Sequence, residues 1–135
     1  MSNLNIIVVG GGLAGLTASL ALQSFGFDVT ILESKKKKEE INVGVQISPN
    51  ATVVLNKLGL KSNIDKIANI PQNLQLRNWE NGEIIFNQSF KSMLGSKSSS
   101  YLLINRSDLL NVLQKKFGEK RIIYGDECKK INLKN

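Results

Sequence analysis

The stretch Ile6-Ile7-Val8-Val9-Gly10-Gly11-Gly12-Leu13-Ala14-Gly15 constrains this chain more than any other. Four apolar residues in succession predict a strand buried on both faces of a parallel sheet, and the glycines then break it into a tight turn. Gly10 and Gly12 let the backbone turn sharply and lie bare against a pyrophosphate, while Gly15 lets the following helix sit close on the strand. That helix points its free N–H groups and the positive end of its dipole at the same anion. A second strand, Phe27 to Leu32, runs into Glu33. This acid stands 33 − 15 = 18 residues past the last glycine, near the roughly 20-residue offset of an acid that accepts hydrogen bonds from a ribose. Glycine-rich turns are common, so the spacing alone is weak evidence. The strand before it, the helix after it and the acid at the right distance supply the context it needs. The alternative is a βαβ turn that binds nothing.

Composition narrows the choice. The chain of 135 residues carries a net charge of +7, and the excess is lysine, 15 against 3 arginines. These lysines are spread along the chain. The one cluster, Lys35 to Lys38, is followed at once by Glu39-Glu40, and no basic motif is interleaved with aromatics in the way that stacks nucleic-acid bases. A solvated loop after Glu33 and no nucleic-acid partner are expected. A single cysteine, Cys128, and the absence of histidine exclude an internal disulfide, the common zinc sites and histidine base chemistry. A reducing cytoplasm is the expected compartment. No apolar run approaches the roughly 20 residues of a membrane span, and the glycine-broken N-terminus is not expected to act as a signal peptide.

After the first βαβ unit, Gly26 is placed to end a helix over 13–25, in which Ala14, Ala18 and Ala21 keep the helix slim. Gly44 lies in an extended segment that Pro49 ends, and a short helix over 51–58 stops at Gly59. Another short helix is expected over 61–68. From Leu74 the hydrophobic period becomes two, and Asn81-Gly82 between two such runs signals an antiparallel hairpin, with Trp79 packing on its sheet. Residues 91–100 read as a serine-rich loop. Strands are expected over 101–104, 121–124 and 127–133, with a helix over 109–117 capped by Ser107 or Asp108 and ended by Gly118.

Three blocks in this order, Gly10 to Gly15 with Glu33, then GVQISPNATVVLNKLGL, then YLLINRSDLLNVL, resemble the FAD-dependent aromatic-ring monooxygenases, and within them the salicylate-hydroxylase-like branch. The resemblance implies an α/β fold: a Rossmann-like FAD-binding βαβ sheet with an inserted antiparallel hairpin at about 73–90, incomplete relative to the family. On this reading residues 1–135 are the N-terminal part of the FAD-binding domain, and the family's later Asp-Gly and Gly-Asp motifs lie beyond it. The resemblance further implies that the turn residues Gly10, Gly12, Leu13, Ala14 and Gly15 hold the FAD pyrophosphate and that Glu33, with Ser34, binds the adenosine ribose. It places Gly44 and Gln46 near the ribityl chain or ring, and Arg106 on the pyrophosphate or ribityl oxygens. The implied chemistry is hydroxylation of a small aromatic substrate with NAD(P)H and O₂ through bound FAD. Some relatives carry a basic histidine where this chain has Gln46. A glutamine takes no proton, so that role does not transfer. Asn105 likewise replaces the histidine that usually precedes the arginine. No catalytic residue and no metal ligand is assigned. Two readings stay open: part of a monooxygenase, or a non-catalytic dinucleotide-binding module that needs a C-terminal companion chain.

Overall fold

A computed structural model describes residues 4–36 and 43–132, with residues 97–99 described by backbone only. The chain divides into two compact units, residues 1–42 with 106–135 and residues 43–105.

The first unit is the βαβ nucleus. Strand β1 (Asn5–Val9) leads through the glycine turn into α1 (Leu13–Ser24) and back to β2 (Asp28–Glu33), which pairs parallel with β1. Later in the chain α5 (Arg106–Phe117) returns to β7 (Ile122–Tyr124), parallel to the other edge of β2, giving the sheet order β1-β2-β7. Alternation along the strands puts Ile6, Val8, Val29, Ile31 and Ile122 on one face. Val29 and Ile31 are fully buried there, and α1 packs on β1, on β2 and on α5. The opposite face is bare: Ile7 is 62% and Val9 57% exposed. The expectation of a first strand buried on both faces is therefore corrected. The sheet is parallel, but the described residues lay helices over one side only.

Packing against two kinds of element explains why α1 is apolar on more than one side: it buries Leu16 and Leu20 while touching both a sheet and a second helix. Ala14 and Ala18 are exposed, and the slim surface comes instead from Gly15 and the fully buried Ser19. The helix ends as expected, with Gly26 at φ +85° and its N–H donating to the Gln23 carbonyl at 2.9 Å. Leu16 is 0% exposed. Leu16→Ala should therefore lower stability by about 3 kcal/mol, read as a lowered urea midpoint with an unchanged m-value.

The second unit holds two short antiparallel ribbons. β3 (Gly44–Ile47) pairs with β6 (Leu102–Asn105), and β4 (Asn73–Arg77) with β5 (Ile84–Ser89). Between them run α2 (Pro49–Lys57), α3 (Lys61–Ile64) and α4 (Phe90–Leu94), with a 3-10 stretch, Gly95–Ser100, after α4. Pro49 ends the extended segment by opening α2, where a proline costs no hydrogen bond. The hairpin lies where Asn81-Gly82 predicted it, with Gly82 at φ +75° and its N–H donating to the Asn78 carbonyl at 2.9 Å. Trp79 does not pack on that sheet. It sits in the connecting loop at 90% exposure.

Three other segments differ from expectation. Residues 91–100 are helical rather than loop, because the Ser89 hydroxyl caps α4 by accepting the Ser92 N–H at 3.1 Å. Helix α5 begins at Arg106, so Ser107 and Asp108 lie in its first turn rather than at the position before it. No strand forms over 126–132, while α3 covers only half of the expected helix. Lys37 to Glu40 of the lysine loop lie outside the described residues. Among the described residues, no helix is long and apolar enough to cross a membrane and no cluster could hold a metal ion.

Candidate functional site

The turn after β1 is built on three different kinds of glycine. Gly10 has φ +101°, a conformation that side chains disfavour, and its N–H donates to the Leu32 carbonyl at 2.8 Å, holding the turn to the end of β2. A Cβ on Gly15 would lie 1.9 Å from the Gly10 carbonyl oxygen. That position is closed to any side chain, and α1 leaves the sheet at close range because of it. Gly12 is unlike both. Its φ is −77°, which any residue adopts, and a Cβ there would meet nothing within 4 Å. The backbone thus opens onto free space at the position where α1 begins.

Helix α1 starts without a capping side chain or an acid in its first turn, and its first closing bond is Leu16 N–H to the Gly12 carbonyl at 3.0 Å. The N–H groups before Leu16 have no helical carbonyl to bond, so they offer an anion site that nothing on the helix competes for.

Glu33 is fastened over this turn. One carboxylate oxygen accepts the Gly11 N–H at 2.7 Å, and the other accepts the Lys35 N–H at 3.0 Å and the Ser34 hydroxyl at 3.4 Å. Partial burial raises its pKa. The backbone donors of Lys35 and Gly11, the Ser34 hydroxyl and the Lys35 charge outweigh that and hold the carboxyl below the ordinary 4.5. The end of β2 is pinned in turn, since the N–H groups of Gly125 and Asp126 donate to the Glu33 carbonyl at 2.8 and 3.2 Å. Tyr124 is Glu33's partner on β7, and its hydroxyl accepts the Gln114 amide at 3.1 Å. Burial, with Glu119 and Glu33 close by, pushes that phenol's pKa up and keeps it protonated.

Arg106 is the first residue of α5 and is half-buried. Its guanidinium makes no hydrogen bond or ion pair to any described residue. Helices α1 and α5 each span 12 residues and each returns to a strand of the same parallel sheet, so they run in the same direction. The Gln23 amide donates to the Phe117 carbonyl at 3.4 Å and joins their C-terminal ends. Arg106 therefore stands at the same end of the helical layer as the glycine turn.

The first unit thus gathers Gly10, Gly12, Leu13, Ala14, Gly15, Glu33 and Ser34, with Arg106 at the same end. Gly44 and Gln46 belong to β3 in the second unit, where the Gln46 side chain accepts a hydrogen bond from the Tyr101 hydroxyl at 2.8 Å. Two participants were missed by sequence reasoning. Gly11, a variable position of the motif, supplies the amide that orients Glu33. Tyr101, read only as a strand residue, engages Gln46.

This arrangement fits a dinucleotide: bare backbone at Gly12, uncapped amides on α1, a held carboxylate at Glu33 and, at Arg106, a cation with no partner among the described residues. The comparisons agree. Residues 3–123 match the model of the FAD binding domain family, and the chain belongs to that family. Among curated relatives, 3-amino-4-hydroxybenzoate 2-monooxygenase of Streptomyces cremeus is 28% identical over 134 residues, covering 96% of this chain and 33% of that protein. The FAD-dependent monooxygenase OpS4 of Beauveria bassiana is 34% identical over 82 residues, 61% of this chain and 19% of its own length. Among solved structures, p-nitrophenol 4-monooxygenase PnpA from Pseudomonas putida superposes with a TM-score of 0.83 at 26% identity, over 96% of this chain and 33% of PnpA. The chain spans about a third or less of the length of each.

Proposed function

We propose that this chain is the FAD-binding N-terminal portion of a flavoprotein monooxygenase that uses NAD(P)H and O₂ to hydroxylate a small aromatic substrate. The observation that carries the reading is Glu33: ionised, aligned by the Gly11 amide, and set beside an uncapped helix N-terminus with open space at Gly12. The N–H groups of Leu13 and Ala14 would take the pyrophosphate, Glu33 and Ser34 the ribose hydroxyls, and the Arg106 fork a phosphate or ribityl oxygen. Gly44 and Gln46 keep the assignment near the ribityl chain or ring that the resemblance gives them. Bound FAD would supply the hydride acceptance and oxygen activation that no side chain of this protein offers. The residues themselves bind, orient and hold charge.

A companion polypeptide completing the enzyme is supported by the bare apolar face of the βαβ sheet at Ile7 and Val9. A cytoplasmic setting is supported by the exposed free thiol of Cys128.

Fluorescence titration of the purified chain with FAD tests the binding claim. Gly12→Ala sharpens it, because the added methyl meets no protein atom yet enters the space assigned to phosphate. We expect an unchanged melting temperature and roughly tenfold or greater loss of FAD affinity, the worth of one hydrogen bond to a charged group. Equal FAD affinity in the variant would remove the pyrophosphate from this turn.

A further inference from the structure

The second unit contains a groove of about 280 Å³ bounded by the β3/β6 ribbon, α4 and the start of β4. Gln46 and Leu103 face each other across the ribbon, and Tyr101, two residues before Leu103, shares their face. The walls are fastened to the backbone. Asn69 and Leu103 exchange N–H to carbonyl bonds at 2.9 and 2.8 Å, and the Phe90 N–H donates to the Gln72 carbonyl at 2.9 Å. Phe90 is buried at 7% exposure and lies against Tyr101 with ring centroids 4.6 Å apart. Together with Met93 and Leu103 these rings form an apolar slot sized for one aromatic ring, at the lower edge of the roughly 300–1,000 Å³ typical of small-molecule sites.

The polar groups in the slot are specific about what they accept. The Tyr101 hydrogen is committed to the Gln46 carbonyl oxygen at 2.8 Å, which leaves the phenol oxygen with lone pairs only. The Gln46 NH₂ has no partner among the described residues and is donor only. A hydroxyl can donate to Tyr101 and accept from Gln46 at once. At the Tyr101–Gln46 pair a carboxylate satisfies only Gln46 and sets its charge against the Tyr101 lone pairs. None of the described residues lining the groove is a lysine or arginine that could neutralise it.

We propose that this groove binds the ring of a neutral phenol, with Gln46 and Tyr101 reading the hydroxyl, and that it discriminates against aromatic carboxylates. The proposal rests on the aromatic-substrate reading above and narrows it.

The test is an NMR titration of the full 135-residue chain with p-cresol, 4-methylbenzoate and toluene as probes. p-Cresol should shift the Gln46 side-chain NH₂ and the Phe90 and Leu103 amides saturably, with at least about tenfold higher affinity than either comparison compound. Tyr101→Phe and Gln46→Leu should each weaken p-cresol about fivefold while leaving toluene unchanged. A structural defect would weaken both ligands, so the pair of probes separates hydroxyl reading from loss of fold. Equal or tighter binding of 4-methylbenzoate would overturn the proposal, as would p-cresol shifts confined to other residues, absence of saturation, or full p-cresol affinity in both variants. FAD is absent throughout. A chain that binds FAD but not p-cresol refutes only this inference, and one that binds p-cresol but not FAD refutes the cofactor reading instead.

Discussion

Gly15→Ala is expected to destabilise the chain by about 3 kcal/mol, the upper part of the range for forcing an extra carbon into a packed site. The corresponding fall in melting temperature is roughly 10 °C for a domain of this size. The added methyl would lie 1.9 Å from the Gly10 carbonyl oxygen and 3.1 Å from its carbon, and both are backbone atoms that cannot rotate away. Relief requires α1 to withdraw from the sheet. That motion loosens Leu16 and Leu20 in the core and breaks the bond from Gly10 N–H to the Leu32 carbonyl. FAD binding should fall with stability in this variant, in contrast to Gly12→Ala, where affinity falls alone. Thermal melts monitored by circular dichroism, run beside FAD titrations, distinguish the two. A Gly15→Ala chain that melts with the parent would mean that the helix approaches the strand less closely than described.

Glu33→Ala carries the second large effect, on binding rather than on fold. The substitution removes the acceptors assigned to the ribose hydroxyls and releases the Gly11 amide from its 2.7 Å bond. Two charge-assisted hydrogen bonds lost to a bound ligand correspond to a decrease of about 100-fold in FAD affinity. Glu33→Gln should recover part of it, because the amide oxygen can still accept from Gly11. The pH dependence has a definite sign. The carboxyl pKa is depressed in the folded chain, so whatever the ionised group contributes is fully present above the ordinary value of 4.5 and is lost as pH falls through the lower folded value. FAD affinity should therefore be level from pH 7 down to about 5 and decline only below the ordinary carboxylate range. A midpoint at pH 6 or above would place a different group at the ribose.

The bare side of the first sheet also bears on handling. Ile7 and Val9 on β1, and Leu76, Ile84 and Ile85 on the hairpin, are each at least half exposed. Unpaired strand edges beside apolar residues favour association. A concentration-dependent sedimentation profile is the behaviour that this exposed apolar surface implies.

By itself the sequence determined the βαβ nucleus and its motif. Local chemistry dictates those features: glycine is required where φ is positive at Gly10, Gly26, Gly82 and Gly118, apolar runs make the strands, and an acid closes the second one. The resemblance of the three blocks carried the family, and the match over residues 3–123 agrees with it. Only the tertiary structure decided which glycine is structural and which is open to a ligand, because that depends on what lies across space from each Cβ. The same holds for the Gly11 amide that aims Glu33 from 22 residues away, and for the Tyr101 hydroxyl on Gln46 across 55. Burial was the least legible property. An apolar run shows that a strand can be covered on both faces, but whether both are covered depends on other segments, and the described residues supply helices to one side of β1 alone.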